Sequence, residues 1–178
     1  MKSRDILIYY SILYKGDWNR IYEAISSKET VDEAVAKKLI KNPNSNNLNN
    51  QGDNLDDLNK LVECLENSII VSNKFNDYPE QLKFAKKPPF VLYYHGKLSI
   101  IKDKYKAVSV VGSRNNSEYG EYATRTLVGD LCKELVIVSG MARGIDGIAH
   151  RACIENGGKT VAVLGCGINV CYPPSNLD

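Results

Sequence analysis

Histidine is scarce in this sequence, and cysteine never occurs in pairs. His95 and His150 stand far apart, and the five cysteines, Cys64, Cys132, Cys153, Cys166 and Cys171, include no C-x-x-C. An odd cysteine count without metal-ligand spacing excludes a zinc site and a disulfide framework. Cys132 and Cys153 fall inside helical patterns as packing residues, while Cys166 has no neighbouring histidine to activate it as a nucleophile. An excess of charge is missing too. Lys and Arg number 23 against 21 Asp and Glu, a net +2 over 178 residues, so any anion-binding surface must be local. No apolar run approaches the ~20 residues of a membrane helix. Ile6 to Tyr14 follows Lys2 and Arg4 as a signal-peptide core would, but Lys15, Gly16 and Asp17 come next with no small-residue cleavage pattern. A cytoplasmic protein without a membrane partner is expected.

Two nucleotide-binding fingerprints are also absent. There is no Walker A sequence, and Gly165-Cys166-Gly167 lacks the third glycine of a dinucleotide loop. The strand ending at Val138 runs into Ser139-Gly140, where an NAD site would carry an acid for the ribose. Dehydrogenase chemistry is excluded on this pattern, and no cofactor is expected.

What the chain does have is three short apolar runs ending in glycine. Ala107 to Val111 precedes Gly112, Leu135 to Val138 precedes Ser139-Gly140, and Thr160 to Leu164 precedes Gly165. Such continuous runs suit a parallel sheet buried on both faces. Between them, Ala123, Leu127 and Leu131 make one helical stripe after Ser117, the expected cap, and Ile145, Ile148, Ala149 and Ala152 make another. The fold class is therefore α/β, a Rossmann-like βαβαβ parallel sheet. Right-handed crossovers bring all three glycine loops to one edge, beside helix amino termini that favour anions.

The first third reads as small helices. Ile6, Tyr9, Tyr10 and Leu13 share a face, and Trp18, Ile21, Tyr22 and Ile25 share another after the cap Asp17. Thr30 with Glu33 makes a capping box. Leu55, Leu58, Val62 and Leu65 mark a fourth helix, beyond an Asn-rich loop over 42–54 that is broken by Pro43 and Gly52. Ser68 to Val71 and Phe90 to Tyr93 are expected as strands leading into the sheet. The domain boundary is placed near residue 67, giving a helical domain over 1–67 and the sheet domain over 68–178.

The loops carry the chemistry. Gly112-Ser113-Arg114 supplies a bend, a hydroxyl and a guanidinium able to grip phosphate with two parallel hydrogen bonds. The same residues would equally serve a plain βα turn with its arginine in water. Ser139 to Asp146 repeats the formula, with Arg143 between Gly140 and Gly144. Asp146 would repel a phosphate, so it is read as a helix cap or as the group orienting Arg143. His150, one turn on, is read as bonding Asp146 on the helix surface. In the third loop, Tyr172 before Pro173-Pro174 would either face a base or pack in the core.

From Asp77 onward these residues resemble the DNA processing protein A (DprA or Smf) family. The resemblance rests on Tyr78-Pro79 with Leu82, on Pro88-Pro89 followed by Leu92-Tyr93 and Gly96, and on the blocks VVGSR, SGMARGIDGIAH and GGKTVAVLGCG-x-x-x-x-YPPSN. It implies a non-enzymatic Rossmann-like domain that binds and protects single-stranded DNA in natural transformation and hands it to the RecA recombinase. It also implies a small SAM-like helical domain ahead of the sheet. The family's backbone pocket maps onto Gly112, Ser113, Arg114, Arg143 and Gly144, with Ser139, Gly140, Gly165 and Gly167 in the flanking strand-end loops.

The chain also departs from the family. It stops at Asp178, where members continue through strands that complete the sheet and form a homodimer interface, so a truncated domain with an uncovered apolar edge and face is expected. Pro174 stands where members often carry a basic residue. Two rival readings follow. One is a Lonely Guy-type nucleotide N-glycosidase, which lacks its P-G-G-x-G-T-x-x-E block here and would need Asp146 or His150 instead. The other is an interaction remnant without DNA affinity.

Overall fold

A computed structural model describes residues 3–28, 30, 33–34, 69–71, 78–101, 106–167 and 170–176. The expected fourth helix over 55–65 and the Asn-rich loop over 42–54 lie outside the described residues. The chain forms two compact units, Met1–Tyr94 and His95–Asp178. This division and the expected boundary near residue 67 differ by a strand pair.

In the first unit, helix α1 (Ser3–Leu13) and helix α2 (Trp18–Ser26) pack together. Asp17 caps α2 by accepting from the Asn19 and Arg20 amides at 3.0 and 3.1 Å, as its position before the apolar pattern predicts. The Thr30–Glu33 box forms in both directions, at 2.8 and 3.2 Å. Helix α1 buries more than one stripe, because Leu7 and Ile8 join Tyr9, Tyr10 and Leu13 in the core. Trp18 stacks on Tyr22 and Phe90 with centroids 5.0 and 5.2 Å away, and its indole N–H donates to the Pro88 carbonyl at 2.9 Å. Strands β1 (Ile69–Val71) and β2 (Val91–Tyr93) pair antiparallel with each other and pack on α1. They form a separate sheet instead of leading into the parallel one.

The second unit is the expected alternation: β3 (Ala107–Ser109), helix α3 (Glu118–Leu131), β4 (Val136–Ser139), helix α4 (Ile145–Glu155) and β5 (Thr160–Ala162). The sheet is parallel in the order β3-β4-β5, with Val108 opposite Ile137 and Val138 opposite Val161. Its carboxyl ends therefore share one edge, and the unit is Rossmann-like. Ile137 packs under Val128 and Cys132 of the α3 end and Ala149, Ala152 and Cys153 of α4, with Val108 and Val110 alongside. Ala107 and Ser109, on the alternate side of β3, are exposed, as are Val111 and Val163 beyond the strands.

The stripe on α3 is offset from expectation. Leu127 is 62 % exposed, whereas Thr124 and Val128 are buried, followed in line by Cys132. Both stripes have i, i+4 spacing, and the one that wins contains a threonine. Thr124 is admissible in the core because its hydroxyl donates to the Gly120 carbonyl at 2.7 Å, leaving no orphaned polar group.

Candidate nucleic-acid interface

The loops after β3 and β4 are built into each other. The buried Ser139 hydroxyl donates to the Val110 carbonyl at 2.6 Å, tying the two strand ends together. The Ile145 amide, first in α4, donates to the Ser113 carbonyl at 3.1 Å. Gly144, at φ 78°, leaves no space for a side chain: a Cβ there would collide with the Ser113 carbonyl oxygen and lie 2.9 Å from Arg114 Cα. A Cβ on Gly112 would lie 2.7 Å from Ile145 Cγ1, and one on Gly140 would lie 2.7 Å from Asp146 Oδ2. Nonbonded carbons need ~3.5 Å or more, so at Gly112 and Gly144 one loop occupies the side-chain space of the other, while Gly140 makes room for Asp146 of its own loop.

The serine hydroxyls of this edge are engaged within it, as are the Asn115, Gly120, Ile145 and Gly147 amides. Ser113 Oγ donates to the Asn115 carbonyl at 2.8 Å and accepts from the Asn115 amide at 3.1 Å, closing a local turn. Ser117 caps α3 as expected, accepting from the Gly120 amide at 3.1 Å. In α4 the Gly147 amide bonds the Ala142 carbonyl at 3.0 Å. Two side chains of the edge are uncommitted: Arg114 and Arg143 are both exposed, and neither makes a hydrogen bond or ion pair among the described residues. An anion at this edge would be held by guanidinium forks, which match phosphate geometry. Between them Met141 takes a left-handed backbone, φ 62°, a conformation that the surrounding structure must enforce for a non-glycine residue.

Asp146 and His150 sit differently from expectation. Asp146 does not cap α4, whose cap residue is Gly144 without a side-chain bond; its carboxylate is buried against Gly140. His150 does not bond Asp146. It is buried, and its Nδ1 pairs with Thr160 Oγ1 at 2.7 Å across to β5. Burial pushes the His150 imidazole below its ordinary pKa, partly offset by the negative charge of Asp146. Thr160 Oγ1 in turn donates to the Ile137 carbonyl at 3.0 Å. A threonine has one hydroxyl proton, so His150 Nδ1 supplies the proton between them.

The described part of the third loop is different. Gly165 and Gly167 are exposed, a Cβ on Gly165 would meet nothing within 4 Å among the described residues, and the Gly167 carbonyl accepts from the Val170 amide at 2.8 Å. Tyr172 is 55 % exposed and so does not pack in the core. Cys132 and Cys153 are buried as expected, with the Cys153 thiol pushed up to about 11 by burial.

Arg151 escaped the sequence reading. It is exposed, and its Nη1 lies 3.5 Å from the position a Cβ would take on Gly147, against the start of α4. The signal was its i+4 spacing from a glycine, since a long side chain leans back over the preceding turn.

Fold and edge together define a Rossmann-like protein with two interlocked, arginine-bearing loops at the carboxyl ends of its strands. Residues 58–178 match the family described as DNA recombination-mediator protein A, and the chain belongs to that family. It is 46 % identical over 99 residues to the DNA processing protein DprA of Streptococcus pneumoniae, covering 56 % of this chain and 34 % of that one. A crystal structure of DprA from Streptococcus pneumoniae superposes with a TM-score of 0.70 at 30 % identity, over 99 % of this chain and 63 % of that one. The Helicobacter pylori DNA processing protein A, studied for its single-stranded DNA binding mode, superposes with a TM-score of 0.51 at 31 % identity, over 57 % of this chain and 46 % of that one. The matched stretch spans about a third of the length of the first curated relatives, 34 % and 37 %.

Proposed function

We propose that this chain binds single-stranded DNA through Arg114 and Arg143, without catalysing a reaction, and serves recombination by protecting the strand and passing it to a RecA-type recombinase in the cytoplasm. The observation that carries this reading is the pair of exposed, uncommitted guanidinium groups on two interlocked loops at one sheet edge. Support comes from the family, and from the Helicobacter pylori relative with its single-stranded DNA binding mode. In this reading Gly112, Ser113, Ser139, Gly140 and Gly144 shape the edge, Gly165 and Gly167 border it, and a homodimer doubles the surface. Phosphate contacts without base-edge contacts give binding that tolerates any sequence and weakens with salt.

The nucleotide-cleaving alternative gains no support from either of its candidate residues. Asp146 and His150 are both buried, and His150 is committed to Thr160.

The test is fluorescence anisotropy of a labelled oligothymidine titrated with the chain and with Arg114→Ala across a salt series. The variant is expected to bind more weakly, with a salt slope flatter by about one unit. Unchanged affinity and slope would overturn the assignment of Arg114.

A further inference from the structure

Next to the arginine loops, the second unit displays two aromatic rings that its own packing does not use. Tyr119 and Tyr122, on the first two turns of α3, are 78 % and 68 % exposed. The cause is helical phase. With Thr124 and Val128 turned to the core, 100° per residue carries positions 119 and 122 to the far side of the helix. Neither ring makes a hydrogen bond or ring contact among the described residues.

A single exposed tyrosine calls for no explanation. Two at i, i+3 are neighbours on the surface, and these begin the helix that leaves the Arg114 loop through the cap Ser117. Side chains on a helix lean toward its amino terminus, so both rings tip toward the strand edge that carries Arg114. The first turn also holds Glu118 and Glu121; Glu121 is engaged with Arg125 at 3.1 Å. Carboxylates there repel phosphate, so this part of the helix offers ring faces, and the charge that attracts a polyanion lies on the loop beside it.

We propose that Tyr119 and Tyr122 form a base-stacking platform for the strand whose phosphates Arg114 and Arg143 hold. The inference rests on the DNA-binding reading above and adds a second kind of contact to it. A cationic loop beside free aromatic rings suits a single strand, whose unstacked bases offer π-faces, and is of no use to a duplex, whose bases are already stacked.

The test uses the full chain and its Tyr119→Ala, Tyr122→Ala, double-alanine and Tyr119→Phe variants. Each is titrated against labelled oligothymidine and against an abasic oligomer with the same number of phosphates. The double-alanine variant is expected to lose about tenfold or more in affinity for oligothymidine, with the same salt slope and no loss on the abasic strand. Tyr119→Phe is expected to bind as the parent does, since stacking needs the ring and not the hydroxyl. Equal binding of oligothymidine by the parent and the double-alanine variant would overturn the platform and leave the phosphate reading standing. A parallel loss on both strands would overturn it too, as the mark of a structural effect. Failure of the parent chain to bind either strand would instead overturn the DNA-binding reading, and the platform with it.

Discussion

Two of the three strand-end loops are interlocked and the third is not, although all three contain glycine. At Gly112, Gly140 and Gly144 the volume of a side chain is already filled by Ile145, Asp146 and the Ser113–Arg114 backbone. At Gly165 that volume is empty among the described residues. The residue type is the same and the physics is opposite. In the first pair glycine allows one loop to rest on the other and so sets the position of both arginines, whereas in the third loop it leaves the backbone accessible.

The most severe break in this contrast is Gly144→Ala. A left-handed backbone and a direct collision combine there, so a loss of about 3 kcal/mol or more is expected, read as a lowered denaturation midpoint. DNA affinity should fall with it, because Arg143 and Arg114 lose their mutual placement. An unchanged midpoint would show that the two loops are not in contact.

A smaller effect concerns His150, which lies one turn below the interlocked pair on α4. Its folded pKa is depressed by burial, so near and below the ordinary value of about 6.5 the unfolded chain binds more protons at this site than the folded chain. Stability is then expected to be flat in pH above that value and to fall as pH drops through it. The slope should be reduced in His150→Gln, measured by denaturant titration at several pH values. The same slope in both proteins would assign the acid sensitivity elsewhere.

Smallest of all is Gly165→Ala. Open space and no left-handed backbone at that position place the change within about 0.5 kcal/mol of the parent. A loss matching that of Gly144→Ala would erase the distinction between the loops.

The sheet was legible because apolar runs ending in glycine have one inexpensive parallel arrangement, and Asp17, Thr30 with Glu33, and Ser117 cap as their local patterns predict. Local pattern could not choose between two stripes of equal spacing on α3, since the bond that lets Thr124 be buried is visible only in three dimensions. The strand pair β1–β2 was readable as strands but not as a sheet of its own, because pairing is a long-range choice. In the site, Arg114 and Arg143 stood out by repetition. The partner of His150 did not, because Thr160 lies on the next strand, and the loop-to-loop role of the glycines depends on neighbours distant in sequence.

The Trp18 stack gives the chain a built-in optical asymmetry. This is the sole tryptophan of the sequence, and its surroundings, Tyr22, Phe90, the Pro88 carbonyl and the Lys87 ammonium 5.6 Å above the ring, all belong to the amino-terminal unit. Emission excited selectively at tryptophan therefore reads the packing of that unit directly, whereas tyrosine emission also draws on Tyr119, Tyr122 and Tyr172 of the Rossmann-like half.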